Sequence, residues 1–170
     1  NYGVRIELVG GKVKFSGTQR AAAEAVTLLS KTVDWDRFVR ARFRVRMLSG
    51  NAAFGVLAGD GVNTVRIEGG GSGTFQLVTA RRDREETDPL PFSWKRNAVL
   101  EIALSRSTEN EITITCNGKT HTLDRRVRFR RGGTAKIGVF ARALSSGAAV
   151  NLDVESARFW RLSKMSKSGR

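Results

Sequence analysis

Four arginines at alternate positions are the most chemically distinctive residues of the chain: Arg40, Arg42, Arg44 and Arg46. The residues between them are apolar, a pattern typical of a β-strand, whose successive side chains point to opposite faces. The four guanidinium groups should then project from one face at intervals of about 6.5–7 Å. Guanidinium groups bind carboxylate, sulfate and phosphate through paired hydrogen bonds. The spacing therefore predicts a row of anion-binding groups, called the arginine stripe below.

A second basic tract lies nearer the C-terminus, from Arg125 to Leu152. Like the segment from Arg37 to Gly59, it contains no acidic residue. Its candidate anion-binding residues are Arg128, Arg130 and Arg142. The whole chain has 30 basic and 16 acidic residues and a net charge of +14, so the two tracts hold much of the excess. Such a surface favours polyanionic partners, including nonspecific contact with nucleic acid.

The arginine stripe also has a second interpretation, in which it is an ordinary solvated face. Asp153 and Glu155 alternate with apolar residues in a later segment, and a neighbouring strand would bring them beside the arginines. Opposite charges across strands stabilise a sheet by about 0.2–1 kcal/mol per pair. Two acids cannot neutralise four arginines, so the sequence leaves both interpretations open.

Aromatic side chains are a further kind of candidate, because their flat faces suit contacts with a ligand. Phe92 and Trp94 lie between Arg81 and Asn97, a segment that we predict to be a long loop, and such loops often carry binding residues. All three tryptophans, Trp35, Trp94 and Trp160, lie at strand ends beside apolar residues, where anchoring in the core is the commoner role. Because they lie in the predicted loop, we nevertheless expect Phe92 and Trp94 to be the exposed aromatic part of a site.

Few residues suited to metal binding or nucleophilic catalysis are present. The single cysteine, Cys116, forms no internal disulfide and is expected to be a small buried residue. The single histidine, His121, accompanies no Gly-x-Ser-x-Gly nucleophile motif. Asp60 and Asn63, in a glycine-rich turn, are candidate calcium ligands, although turn geometry explains them equally well. Apart from a structural calcium ion at that turn, we expect no cofactor.

The elements that must position these residues are β-strands with one apolar and one polar face, as in antiparallel sheets. Glycine-containing turns recur at short intervals between them, which is typical of a sandwich or jelly roll. The sharpest local prediction is a hairpin at Asn117-Gly118, a pair that suits a type I′ turn. A two-residue loop places Cys116 opposite Lys119 and Ile114 opposite His121.

Chain length and hydropathy predict one folded domain over residues 1–162, followed by a flexible tail over residues 163–170. The apolar runs are too short for a membrane-spanning helix. The start at Asn1 favours a mature product or a domain of a longer protein. Between Arg20 and Ser30 we expect at most a short turn before a strand.

The segment from Asp34 to Leu162 resembles the concanavalin A-like lectin and glucanase superfamily, in particular its laminin-G-like branch and its bacterial branch of domains of unknown function. The resemblance rests on the order of six segments: 35–45, 50–57, 99–104, 112–119, 135–141 and 150–160. It implies an all-β, antiparallel jelly-roll sandwich of roughly 11–13 strands in two curved sheets. The fold hosts lectins, glycanases, lyases and interaction domains, so it names no ligand.

The catalytic sets of the enzymes in this superfamily are incomplete in the chain. Its laminarinase-like glycanases carry a Glu-x-Asp-x-x-Glu strand, whose two catalytic carboxylates lie about 5.5 Å apart, and no such run exists here. Its alginate-lyase-like members carry a Lys-x-Gly-x-Tyr strand. The segment from Lys136 to Phe140 is similar, but Phe140 takes the place of the tyrosine. A binding module is therefore favoured over an enzyme.

The function that these residues favour is a non-catalytic, lectin-like module of a larger bacterial protein, taking acidic or sulfated polysaccharide. Other domains of the parent protein would be its neighbours, and membrane insertion is not expected. One alternative is a protein-interaction or architectural domain with a basic surface. The other is nonspecific nucleic-acid binding, since no reader motif is present. The habits of the fold favour a secreted or extracytoplasmic location.

Overall fold

Residues 3–18, 26–82, 84–124, 127–142 and 147–163 are described by the computed structural model of the chain. The regular structure in these ranges is all β-strand, and they contain no helix that could cross a membrane. The thirteen strands are β1 (Val4–Val9), β2 (Lys12–Thr18), β3 (Val26–Asp34), β4 (Phe38–Gly50), β5 (Ala53–Gly59), β6 (Asn63–Gly69), β7 (Thr74–Arg81), β8 (Arg84–Ser93), β9 (Leu100–Arg106), β10 (Ile112–Cys116), β11 (Lys119–Thr122), β12 (Thr134–Arg142) and β13 (Ala149–Arg161).

The strands form two antiparallel sheets that enclose one apolar core. Sheet A has seven strands in the order β1-β2-β13-β4-β9-β10-β11, and sheet B has six in the order β3-β12-β5-β6-β7-β8. Alternate residues of the central strands, such as Phe43 and Val45 in β4 or Val65 and Ile67 in β6, are buried between the sheets. The other residues of each strand lie on the outer faces. The predicted all-β jelly-roll sandwich is confirmed, and so is the predicted range of strand number.

The hairpin between β10 and β11 has the predicted register. Cys116 is opposite Lys119 and Ile114 is opposite His121. The φ angles of Asn117 and Gly118 are 45° and 84°, so both turn residues have the positive φ that a type I′ turn requires. Local turn chemistry is therefore sufficient to fix this part of sheet A.

An irregularity in β13 decides which of its residues face outward. Val154 is opposite Val45, but the next pair in the register is Ser156 with Arg44, so Glu155 is an extra residue. Such a bulge reverses the alternation of side chains beyond it. As a result Phe159 turns toward the core, where its ring centroid lies 5.7 Å from that of Phe43. Trp160 turns to the outer face of sheet A.

One end of the sandwich is held by a buried polar contact that the sequence did not indicate. The indole Nε1 of Trp35 donates a 2.7 Å hydrogen bond to Oδ1 of Asn110, and Asn110 Nδ2 donates to the carbonyl oxygen of Phe129. Asn110 and Trp35 are 4% and 0% exposed. Buried polar groups need such partners, so the side chain of Asn110 joins the start of β4 to the segment before β12.

The prediction of a long loop from Arg81 to Asn97 is wrong. Residues Arg84–Ser93 form β8, the end strand of sheet B, paired with β7. Pro89 and Pro91 have no backbone N–H group and so cannot donate hydrogen bonds to a neighbouring strand. Prolines are tolerated in an edge strand, because one of its sides needs no partner. Residues 19–25, where a short turn was expected, lie outside the described residues, as does most of the expected tail, residues 164–170.

Candidate anion-binding face

The four arginines of the stripe occupy the outer face of sheet A, as the alternation of β4 predicts. On one side β13 brings Trp160 opposite Arg40 and Arg158 opposite Arg42. On the other side β9 brings Ser105 opposite Arg40 and Glu101 opposite Arg44. Directly opposite residues of paired strands share a face. The stripe is therefore the centre of a basic face that also holds Lys12, Lys14 and Arg158.

The acids of this face neutralise only part of the stripe. Arg46 Nη2 lies 2.7 Å from Oε1 of Glu155, which also lies 3.5 Å from Lys12 Nζ. Arg42 Nη1 lies 3.9 Å from Glu101, at the outer limit of an ion pair. Among the described residues, no acidic side chain forms an ion pair with Arg40 or Arg44. The solvated-face interpretation thus fits Arg46 but not the other end of the stripe.

Trp160 lies among the arginines, and the expectation that it anchors the core is wrong. Its side chain is 40% exposed, because the bulge at Glu155 turns it outward. The guanidinium carbon of Arg40 lies 5.9 Å from the Trp160 ring centroid, and that of Arg42 lies 5.4 Å from it. A guanidinium group at this distance is attracted by the aromatic ring. Trp160 therefore holds two neighbouring guanidinium groups beside it.

The guanidinium groups next to Trp160 keep their outer nitrogens accessible. The Nε atoms of Arg40 and Arg42 are buried and make no hydrogen bond, whereas the Arg42 side chain as a whole is 30% exposed. Its accessible donors are therefore on Nη1 and Nη2. The hydroxyl groups of Ser105, Thr113 and Thr122 continue the row of Arg40 across β9, β10 and β11. The face thus combines an exposed indole, guanidinium groups and a row of hydroxyl groups.

The second basic tract does not join the stripe. Arg128 and Arg130 are exposed in the segment before β12, where Asn63 Nδ2 donates to the carbonyl oxygen of Arg128 and Arg130 N donates to Oδ2 of Asp60. These bonds attach the segment to the β5–β6 turn, because Asp60 and Asn63 belong to that turn. The backbone of the tract is fixed there, and the two arginine side chains extend from it.

The carboxylate of Asp60, a candidate calcium ligand, accepts hydrogen bonds from backbone donors. Its Oδ1 accepts from the amides of Val62 and Asn63 at 2.9 and 2.7 Å, and its Oδ2 from that of Arg130 at 2.9 Å. Partial burial alone would raise the pKa of Asp60, but these amide bonds outweigh it and the pKa lies below the ordinary value. No group of three or more His, Cys, Asp or Glu side chains suited to a metal is found among the residues that the structure describes.

Arg142 lies on the opposite side of the molecule, on the outer face of sheet B, in an ion pair. Its Nη2 and Nε lie 2.6 and 3.1 Å from the two carboxylate oxygens of Glu68, a carboxylate that is 2% exposed. Gln76 Nε2 donates to the same carboxylate at 3.1 Å, and Arg66 Nε lies 3.5 Å from it. We call Arg66, Glu68, Gln76 and Arg142 the Glu68 cluster.

The Glu68 cluster spans β5, which lies between β6 and β12. Gly55 of β5 is opposite both Glu68 and Phe140, and it leaves the space above β5 free of a side chain. A Cβ atom at this position would meet the carbonyl oxygen of Ile67. The only sequence signal for the cluster is the alternation of Arg66 and Glu68 with apolar residues in β6; the pairing of Glu68 with Arg142 crosses 74 positions.

The two aromatic candidates outside the stripe are not exposed platforms. Phe92 is 3% exposed and belongs to the core, because β8 is a strand whose inner face is turned toward the core. Trp94 is partly buried: its ring meets Phe54 edge-on at 4.8 Å, and its Nε1 donates to the carbonyl oxygen of Gly70. Phe92 therefore has no ring face exposed to a ligand, and the contacts of Trp94 hold its ring partly within the fold.

Cys116 is buried, as expected from its strand position. The side chain is 2% exposed, and burial raises the pKa of its thiol to about 11. His121 is half-buried on the same side of the hairpin, opposite Ile114. At neutral pH the thiol is therefore protonated and is a packing group of the core.

No protein-family model and no curated protein sequence matches the chain, so the comparison rests on solved structures. A protein of unknown function from Shewanella oneidensis superposes with a TM-score of 0.70 at 11% identity, covering 97% of this chain and 77% of that one. The GlcNAcα1-4Gal-releasing endo-β-galactosidase of Clostridium perfringens gives 0.62 at 9% identity, over 92% of this chain and 54% of the enzyme. The carbohydrate-binding module CBM66 of Bacillus subtilis gives 0.57 at 9% identity, over 90% and 91%.

These similarities concern the fold. The neighbours include glycoside hydrolases, a galectin and a carbohydrate-binding module. The chain therefore has the concanavalin A-like jelly-roll fold, as its sequence predicted, and shares it with proteins that bind or cleave carbohydrates. The chain spans about half the length of the endo-β-galactosidase but nearly all of the carbohydrate-binding module.

Proposed function

We propose that the protein is a non-catalytic carbohydrate-binding module that takes an acidic or sulfated polysaccharide on the outer face of sheet A. The ligand lies along one end of the arginine stripe, where β13 places two further residues on the same face. These residues together are called the Trp160 site below: Arg40, Arg42, Arg44, Arg158 and Trp160. The observation that carries this proposal is the exposed indole of Trp160 beside two arginines: Arg40 has no acidic partner among the described residues, and Arg42 has only the 3.9 Å contact with Glu101.

Several guanidinium groups of the Trp160 site are available to anions. Arg40, Arg44 and Arg158 have no acidic partner among the described residues, and Arg42 has only the 3.9 Å contact with Glu101. Charge-assisted hydrogen bonds to sulfate or carboxylate are about twice as strong as neutral ones. Because the cation–π contacts with Trp160 order Arg40 and Arg42 beforehand, less conformational entropy is lost when an anion binds.

A sugar polymer fits this face better than a small anion does. Trp160 supplies a partly exposed aromatic surface, and the hydroxyl groups of Ser105, Thr113 and Thr122 extend the polar row on the other side of Arg40. The arginine side chains repeat along β4 at about 6.5–7 Å, so a polymer with regularly spaced anionic groups would meet several of them at once. The similarity to the carbohydrate-binding module supports the same choice.

The acids of the face favour binding over hydrolysis. Glycoside hydrolysis needs one carboxyl group as an acid and a second as nucleophile or base. On this face Glu155 contacts Arg46 and Lys12, and Glu101 contacts Arg42. Both carboxylates are thus engaged by basic side chains of the face. We therefore assign the face to recognition of a ligand.

A retention screen of the purified protein tests this proposal. Immobilised neutral, uronic and sulfated glycans and duplex DNA would be compared at about 0.1 and 0.5 M salt, which distinguishes screened long-range attraction from close contacts. We expect selective retention by an acidic glycan, lost in Arg40→Ala/Arg44→Ala. The matched control is Arg128→Ala/Arg130→Ala, which removes the same charge from the second basic tract and should still be retained.

The outcomes of the screen separate the alternatives. Equal losses in the two double variants would show that charge alone attracts the glycan, and would contradict a site at Trp160. Equal, salt-labile retention by every polyanion, including DNA, would favour a general basic surface. Retention by none of the probes would favour a protein-interaction or architectural domain.

A further inference from the structure

Two strand edges lie on the same side of the sandwich without a strand partner in the described part of the chain. β2 pairs with β13 only along Ala149–Val154, although β13 continues to Arg161 and stays paired with β4 on its other side. Residues 155–161 are called the open edge of β13. In the other sheet, β3 is the end strand and pairs with β12 alone. Backbone N–H and C=O groups on such edges are available to a further strand.

An apolar crevice of about 130 Å³ opens between these two edges. Ala157 and Phe159 line it from the open edge of β13, and Leu29 lines it from β3. Ala157 is exposed and Leu29 is 38% exposed. Lys31 also lines the crevice, with its Nζ 5.2 Å from the Phe159 ring centroid. The crevice is therefore open to solvent at the edge where a further strand would pair.

The apolar surface continues from the crevice onto β1. Val154, which lines the crevice, is opposite Val13, and Val13 is opposite Leu8. Leu8 is 76% exposed, and Ile6, two residues away on the same face of β1, is 39% exposed. Contiguous exposed apolar side chains mark interaction surfaces more often than isolated ones do.

The charges around the open edge define the partner. Lys12, Lys31, Arg158 and Arg161 lie around it, while the nearby Glu155 contacts Lys12 and Arg46. A second copy of the chain is a poor occupant, because pairing two open edges would bring Arg158 and Arg161 of both copies together. An acidic segment would meet complementary charge.

We propose that the open edge of β13 and its crevice bind an extended segment of a partner polypeptide, in which acidic and apolar side chains alternate. The backbone of the segment adds a strand to sheet A next to β13, and one row of its side chains enters the crevice. The other row meets Lys12 and Arg158 on the outer face. The apolar lining of this site faces the core side of β13 and the Trp160 site faces outward, so the two proposals rest on different observations and share only Arg158.

A fluorescein-labelled heptapeptide in which Asp alternates with Val and Phe is a suitable probe, with binding followed by fluorescence anisotropy. Two control peptides carry the same charge: one has its Asp residues grouped at one end, and the other is N-methylated at alternate amides. We expect each control to bind at least about tenfold more weakly, because strand addition depends on both the side-chain alternation and backbone donors. Amide hydrogen exchange should slow at alternate residues of 155–161 when the heptapeptide binds.

Two protein variants with equal charge locate the site. Ala157→Glu places a carboxylate at the crevice and should weaken heptapeptide binding at least about tenfold. Thr120→Glu adds the same charge on β11, which β4, β9 and β10 separate from β13, and should retain most of the binding. Equal binding of the three peptides, equal losses in the two variants, or slowed exchange outside 155–161 would each overturn the proposal.

Discussion

The arginines on the outer faces of the two sheets are in opposite situations. On sheet B, Arg142 and Arg66 converge on the carboxylate of Glu68, which is 2% exposed and also accepts a hydrogen bond from Gln76. On sheet A, Arg40 and Arg44 have no ion-paired acid among the described residues, and Arg40 lies opposite the exposed ring of Trp160. The same residue type is therefore ion-paired to a buried carboxylate on one face and, at Arg40 and Arg44, has no ion-paired acid among the described residues on the other.

Strand register explains this difference better than net charge does. In β6, Glu68 lies across the glycine of β5 from β12, which lets Arg142 reach it. In β13, the acids come before the bulge and lie at the Arg46 end of the stripe. Beyond the bulge, β13 contributes Arg158 and Trp160 to the outer face. A charge of +14 thus predicts attraction to polyanions, while the positions of a few acids decide where an anion can bind.

The largest expected effect is the loss of stability when Glu68 is replaced by Ala. Removing one member of a buried ion pair costs about 3–5 kcal/mol, and Glu68 is the buried carboxylate on which Arg66 and Arg142 converge. Urea unfolding followed by tryptophan fluorescence measures this loss. The matched control is Glu101→Ala, which removes an acid from an exposed 3.9 Å contact and should change stability by less than about 0.5 kcal/mol. Similar losses in the two variants would remove the distinction between the faces.

A smaller effect is expected at Asp60, which fixes the backbone of the second basic tract. Hydrogen bonds to charged groups are worth about 1.5–3 kcal/mol, and Asp60→Asn should lose part of this at neutral pH. Because the pKa of Asp60 in the folded protein lies below its ordinary 3.8, the carboxylate stabilises the fold above that pH, and the contribution is lost as the pH falls through the folded value.

Unfolding measured from pH 6 to pH 2 checks this sign. The difference in unfolding free energy between the wild type and Asp60→Asn should shrink as the pH drops below about 4. A difference that is constant or grows over this interval would show that the ionised carboxylate does not hold the turn. The glycan affinity of Asp60→Asn should equal that of the wild type, since Arg130 lies outside the Trp160 site.

The smallest effect concerns the ring that orders the arginines of the stripe. Trp160→Ala leaves every charge in place but removes the cation–π contacts, which are worth about 0.5–1 kcal/mol at exposed positions. Glycan affinity should therefore fall about fivefold, and Trp160→Phe should recover most of it. Isothermal titration with the glycan retained in the screen measures both values. An affinity unchanged in Trp160→Ala would exclude a positioning role for the indole.

Local sequence patterns were sufficient for much of the fold. The alternation of β4 placed the four arginines on one face, and Asn117-Gly118 fixed the register of a hairpin, because both depend on neighbouring residues alone. β8 was missed because its prolines and charged residues hide the alternation of an edge strand. The site was predicted less completely, since Trp160 faces outward only after a one-residue bulge, and the partner of Arg142 lies 74 positions away.

The central claim is that arginines without acidic partners bind the glycan and paired ones do not. Arg44→Ala and Arg46→Ala test it most directly, because both remove one charge from the same face of β4, two residues apart. We expect glycan affinity to fall about tenfold in Arg44→Ala. In Arg46→Ala it should change less than about twofold, because Glu155 already neutralises Arg46 in the wild type. Equal losses in the two variants would contradict the claim.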